Sequence, residues 1–280
     1  MTTEVHGHYY VPGPSHYPVL LATGLFLLAL GFILRINAYP PGLWLMAAGA
    51  LVVGYVLSGW FGRVIAESQR GLYRRWEDLS FRWGMIWFIA SEVMFFGAFF
   101  GALFYVRNIS VPELGATQAL WPGYTGTWPT SGPAGSPFTP MAAWGIPALN
   151  TLILLSSAGT VTWAHWGLLR NERRRLIVGL TLTVLLGLTF LGLQGHEYYE
   201  AYTRLGLTLQ AGVYGATFFM LTGFHGLHVT IGAIMLTVIL GRAIQGHFRP
   251  EDHFGFEAAA WYWHFVDAVW LGLFLFVYWL

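Results

Sequence analysis

WGMIWFIASEVMFFGAFFGALFYV, residues 83–106, is apolar or small throughout except for one ionisable side chain, Glu92. As a helix rising 1.5 Å per residue it is about 36 Å long. A bilayer core is about 30 Å thick and needs roughly 20 apolar helical residues to cross it. Six further stretches meet or approach that standard: Pro18 to Leu34, Gly42 to Gly62, Met141 to Trp166, Leu176 to Gly195, Gly212 to Gly241 and Ala258 to Leu280. Backbone groups in hydrocarbon have to be satisfied internally, so these stretches are expected to be helices. A membrane β-barrel would instead show alternating segments of about ten residues. The expected fold is therefore an all-α membrane protein with seven transmembrane helices.

The composition agrees. Of the 280 residues, 56% are hydrophobic and only 10% charged, against about a quarter charged in an ordinary soluble domain. The 14 Trp and 14 Tyr suit the membrane interface. Every basic residue is Arg, and no basic block suggests nucleic acid. The absence of Cys excludes disulfides, iron–sulfur clusters, thiolate copper sites and a Cys nucleophile. Met1 to Ser15 has neither a basic n-region nor an apolar run, so no cleavable signal is expected there.

Arg placement gives an orientation. Arg63, Arg70, Arg74, Arg75 and Arg82 fall between the second and third stretches. Arg170, Arg173, Arg174 and Arg175 fall between the fourth and fifth, and Arg242 and Arg249 between the sixth and seventh. The opposite side holds only Arg35, Arg107 and Arg204. Positive residues stay inside, which predicts a cytoplasmic N-terminus and an outer C-terminus. The expected organisation is a cytoplasmic tail (1–17), a helix pair (18–66), an Arg-rich loop (67–82) and five helices (83–280). The outer loop at 108–140, rich in Pro, Gly, Thr and Trp, is expected to pack as an ordered cap.

A charge inside a helical span is by default a functional candidate. Glu92 and Asp267 qualify, each roughly 14 Å from the cytoplasmic end of its helix. Glu92 reads as a proton-linked site or as a carboxyl that hydrogen-bonds between helices. Asp267 has His264 on the same helical face, a pairing that suits a structural clamp. His225 and His228 share a face of the sixth helix, flanked by Gly223 and Gly226, which suits close packing more than metal ligation. His165, between Trp163 and Trp166, suits a helix cap or a lipid contact. His196-Glu197-Tyr198-Tyr199-Glu200 lacks the second His of a zinc protease helix. His6, His8 and His16 read as a solvated tail. No catalytic residue and no metal-ligand set is expected on this chain.

Taken in order, these motifs resemble subunit III of the haem–copper cytochrome c oxidases. Arg82-Trp83-Gly84-Met85 and Ser91-Glu92-Val93-Met94-Phe95-Phe96 are similar to the family's third helix. Pro112-Glu113-Leu114-Gly115 and Trp121-Pro122 are similar to its outer loop. Asn150-Thr151, Thr162-Trp163-Ala164-His165 and Glu197-Tyr198-Tyr199-Glu200-Ala201 match its fourth and fifth helices. Gly212-Val213-Tyr214-Gly215 and Thr222 to Val229 match the sixth. His253 to Ala258 and Trp261 to Asp267 match the seventh. The likeness is less literal over the first two helices, although Glu67-Ser68 is shared.

That resemblance implies two helices and five helices splayed around a V-shaped lipid cleft. It implies a noncatalytic core subunit of an aa3-type oxidase that reduces oxygen to water. Haem and copper would belong to partner subunits I and II, and cytochrome c would be the electron donor. This chain would bind subunit I, hold phospholipids and support proton uptake. Glu92 would be the family's buried carboxyl near His225 or His228, and Trp60, Arg63, Glu67, Arg242 and His247 would contact lipid. Ala66 stands where some relatives carry Arg, which leaves Arg63, one turn earlier, to reach the same headgroup. The competing readings are an independent proton or ion transporter using Glu92 and Asp267, a histidine-based membrane metalloenzyme, and subunit III of a quinol oxidase. The expected location is a bacterial inner membrane, with the mitochondrial inner membrane as the alternative.

Overall fold

A computed structural model describes residues 9–280; His6 and His8 lie outside them. The described residues are helical, with no β-strand among them. Seven helices are long and apolar enough to cross a membrane. In chain order the elements are α1 (Tyr17–Ile36), α2 (Pro41–Gln69), α3 (Arg75–Tyr105), α4 (Val111–Ala116), α5 (Ile146–Leu169), α6 (Arg173–Thr203), α7 (Gly212–Gln245) and α8 (Phe254–Leu273). A π-helical turn, Val106–Ser110, joins α3 to α4, and another, Phe274–Trp279, ends α8.

The helix ends differ from the expected stretches at three places. Most of the Arg-rich segment 67–82 is helical, because α2 runs to Gln69 and α3 starts at Arg75. Long Arg side chains reach water from a helix end, so charge does not require a loop. Met141 to Gly145 is not helical: α5 starts at Ile146, after Gly145 at φ 114° and with Pro147 in its first turn. Pro suits that position because its missing N–H is one a helix start leaves unused. The fifth span continues past Gly195 to Thr203, which carries Glu197 into the helix.

The chain divides into two compact units, one ending at Phe81 and the other running Arg82–Leu280. In the first, α1 and α2 pack through glycine. A Cβ on Gly31 would lie 2.6 Å from Met46 N and 2.8 Å from Gly42 O. One on Gly49 would lie 2.7 Å from Leu28 N and 2.8 Å from Gly24 O. Lipid tails are as apolar as Leu, so helices in a membrane associate through such close backbone contact rather than by hiding apolar surface.

In the second unit α5 packs on α6, α6 on α7, α7 on α8 and α8 back on α5. The central member is α8, with ten of its 20 residues buried against two of 20 in α1. Its Trp263 is fully buried. The ring lies against Gly187 of α6 and Gly232 of α7, where a Cβ would come within 2.7 and 2.8 Å of it. The indole N–H donates to Ser157 Oγ of α5 at 2.9 Å. Two turns on, Trp270 donates to Thr151 Oγ1 of α5 at 2.9 Å. These bonds satisfy the one polar atom that a buried indole carries.

The rest of α3 meets α7 and α8 through aromatic side chains. Phe96 stands edge-on to His228 at 5.0 Å, Phe95 to Phe224 at 5.1 Å, and Phe88 stacks near Tyr262 at 6.1 Å. The expected outer loop at 108–140 is helical at its start, because the π-turn and α4 carry the chain to Ala116, and its remainder packs on the bundle. Phe138 stacks on Tyr214 at 5.1 Å, Tyr214 N donates to Thr130 O at 3.3 Å, and Thr139 N donates to Leu205 O at 2.9 Å.

Crowded and open glycines should respond with opposite signs. Gly49→Leu and Gly232→Val should each cost about 1–3 kcal/mol through overpacking. Gly54→Ala has no neighbour within 4 Å to meet and should be neutral or stabilising by about 0.4–1 kcal/mol. Unfolding in detergent, followed by circular dichroism, measures all three.

Candidate functional site

Three carboxyls sit within the apolar body of the second unit, each in a different setting. Glu92 on α3 is half-buried and meets His228 of α7, with Oε2 to Nε2 at 2.9 Å. His228 Nδ1 lies 2.6 Å from Phe224 O, one turn back. A carbonyl only accepts, so Nδ1 carries a proton and donates it. A hydrogen bond between Nε2 and Oε2 then needs one further proton, on the carboxyl or on the imidazole.

His225 goes elsewhere. It is buried, its Nε2–H donates to Val266 O of α8 at 3.2 Å, and its ring lies 5.2 Å from Trp270. Of the two histidines expected near Glu92, His228 makes the bond and His225 clamps α7 to α8. Asp267 is buried, with His264 Nδ1 at 3.6 Å from its carboxylate, an ion-pair distance but beyond a hydrogen bond. His264 Nε2 reaches Thr162 Oγ1 at 3.4 Å. That arrangement ties α5 to α8, as a structural clamp would.

The third carboxyl was not singled out from sequence. Glu197 is 1% exposed. Tyr278 Oη donates to its Oε1 at 2.5 Å, and Gln194 Nε2 donates to the same oxygen at 3.4 Å. The apolar run ends at Gly195, so Glu197 reads as a loop residue unless α6 is known to continue. The available signal was Gln194 and Glu197 sharing a face at i and i+3.

A fourth cluster also escaped the sequence. His165 near the end of α5, His253 just before α8 and Glu257 in the first turn of α8 bring one potential ligand atom each to within 4.8 Å of one another. Arg82 Nη1 lies 2.6 Å from the other carboxylate oxygen of Glu257. The i, i+4 spacing joins His253 to Glu257, but no spacing joins them to His165 on another helix.

The residues expected to contact lipid divide between the units. In the first, Trp60, Arg63 and Glu67 line a pocket of about 220 Å³ together with Tyr9, Tyr10 and Tyr73. Trp60 stacks near Tyr17 at 5.9 Å. The Glu67 carboxylate is already occupied: Arg63 Nε donates to it at 3.1 Å and Tyr73 Oη at 2.7 Å. Glu67 thus positions Arg63 through its Nε. Burial, and then the bond to Glu67, raise the Tyr73 phenol above its ordinary value. Burial and the Glu67 charge do the same for Tyr10. Arg242 and His247 belong to the second unit, where the Arg242 guanidinium stacks over Phe248 at 4.5 Å.

The family model described as "Cytochrome c oxidase subunit III" matches residues 6–280. A relative from Cyprinus carpio, named cytochrome c oxidase subunit 3, is 42% identical over 280 residues, covering 100% of this chain and 99% of its own. Its namesake from Oncorhynchus mykiss is 43% identical with the same coverage. The one from Arabidopsis thaliana is 41% identical over 272 residues, 97% of this chain and 96% of its own.

Removing the Tyr278 hydroxyl takes from Glu197 its shortest bond in a site closed to water. Tyr278→Phe should destabilise by about 1–3 kcal/mol. Glu197→Gln in the same background should restore part of that loss, because an amide costs less to bury than a carboxylate. Unfolding of the single and double variants measures the coupling.

Proposed function

Because the chain belongs to the cytochrome c oxidase subunit III family, we propose that it is the noncatalytic third subunit of an aa3-type cytochrome c oxidase, seated on subunit I in a complex that includes subunit II and takes electrons from cytochrome c. Its tasks are to hold phospholipid, to support proton uptake and to preserve the catalytic centre through turnover. Haem and copper reside in the partner subunits. The membrane is a bacterial inner membrane with the Arg-rich ends of the helices on the cytoplasmic side, a reading that rests on the positive-inside pattern and the Arg-only basic complement.

The observation that carries the proton role is the Glu92–His228 pair. Two titratable groups stand 2.9 Å apart, and both keep partial exposure, with side chains 20% and 12% accessible. A carboxyl–imidazole unit of this kind can accept and return a proton inside a membrane without creating an isolated charge. The surrounding face of α3 is apolar and exposed, with Trp83, Trp87, Val93 and Met94 outward. A face like that suits lipid or a partner helix. Among lipid contacts, the pocket lined by Trp60 and Arg63 fits a phosphodiester headgroup, with the guanidinium meeting the phosphate.

Glu92→Gln keeps size and most hydrogen bonding but cannot exchange a proton at that atom. In the purified complex it should leave assembly and haem content intact. Proton uptake by reconstituted vesicles should slow, and the number of turnovers completed before inactivation should fall. Unchanged uptake and durability from acid to alkaline pH would contradict a proton role for this carboxyl.

A further inference from the structure

We propose that His165, His253 and Glu257 form a binding site for a divalent transition-metal ion of the zinc class. Their ligand atoms already stand close to the required spacing. Glu257 Oε1 is 3.6 Å from His253 Nε2 and 4.0 Å from His165 Nε2, and the imidazole rings are 5.5 Å apart at 63°. Around tetrahedral zinc, with bonds of about 2.0–2.1 Å, neighbouring ligand atoms lie roughly 3.3–3.5 Å apart. The ligand atoms all lie within 4.8 Å of one another, so closing the widest gap takes at most roughly 1.5 Å, within the reach of side-chain rotation.

Three features point to a ligand rather than to chance proximity. His165 Nε2 is buried and has no hydrogen-bond partner, an arrangement that native proteins seldom leave unused. His253 Nδ1 lies 3.2 Å from Arg249 O. Since a carbonyl only accepts, Nδ1 carries the proton and the Nε2 lone pair is turned to Glu257 and His165. Metal-ligating histidines are typically held by such an outer hydrogen bond. Arg82 engages Glu257 through Oε2 at 2.6 Å, which orients the carboxylate and leaves Oε1 toward the two imidazoles.

The donor set selects the ion. Two neutral imidazoles and one carboxylate suit zinc and its neighbours, whereas magnesium and calcium ask for oxygen ligands throughout. The fourth position falls to water. Arg82 places a positive charge beside the site and opposes the cation, but that charge is already matched by Oε2. The Phe256 ring, 5.2 Å from His165, forms an apolar wall. A bound ion would staple the end of α5 to the start of α8 at a partly buried end of the second unit.

The test uses the full-length chain in mild detergent with whatever subunits accompany it. Zn²⁺ is titrated against a chelating dye, and Co²⁺ is followed by its visible absorption. One saturable site is expected, with a cobalt spectrum of four or five nitrogen and oxygen ligands and a rise in melting temperature on zinc addition. His165→Gln and His253→Gln should each weaken binding by about tenfold or more and remove the melting rise. Zinc-edge X-ray absorption on the unmodified protein supplies a readout independent of variant folding, and two imidazole ligands are expected. Changing His6, His8 and His16 together should leave the site intact. Absence of saturable binding, binding that survives His165→Gln with His253→Gln, binding that disappears with the tail histidines, or an absorption edge without paired imidazoles would each overturn the proposal.

Discussion

The indole of Trp263 occupies a notch that only glycine can form, between Gly187 and Gly232, and the second unit is organised around it. Its N–H is satisfied by Ser157, so one side chain of α8 touches α5, α6 and α7 at once. In water such a ring would be buried by the hydrophobic effect. In a bilayer that force is absent between helices, and fit takes its place. A single large ring against two absent side chains, with its polar atom bonded, defines the register of four helices. The first unit reaches the same end differently, by bringing two helix backbones together along Gly24, Gly31, Gly42 and Gly49.

That frame places the ionisable groups in graded surroundings. Glu197 lies fully enclosed with a tyrosine hydroxyl on it, Asp267 is buried with an imidazole at arm's length, and Glu92 is half-exposed with an imidazole in direct contact. Groups sealed from every exchange partner can brace a structure but cannot move protons. Glu92 and His228 combine direct contact with access, whereas the exposed His264 only stands at ion-pair distance from Asp267. They also sit beside the outward apolar face of α3, which is where a partner helix or a lipid would meet them.

Much of this was legible in the sequence, for identifiable reasons. Apolar length marks the seven spans because the bilayer demands it, and the i, i+3 spacing marks His264 with Asp267 because helical geometry demands that. The ends of the spans were harder to read. Arg75 and Arg82 lie on a helix that charge alone would have broken. Gly145 and Pro147 delay α5 in a stretch that apolarity alone would have made helical. Glu197 stayed hidden because its helix outlasts its apolar run. The partnership of Glu92 with His228, rather than His225, turns on which face of α7 meets α3, and the grouping of His165, His253 and Glu257 turns on the packing of α5 against α8. Tertiary contacts of that kind leave no local pattern.

On the proposal above, the chain serves a redox complex without carrying a redox centre of its own. Extraction of the membrane in mild detergent, followed by haem and copper analysis of each separated subunit, is the sharpest test. The chain should emerge bound to a distinct haem- and copper-bearing polypeptide and be free of both once separated. Stoichiometric haem or copper retained on the separated chain, or a chain that leaves the membrane with no pigmented partner, would contradict it.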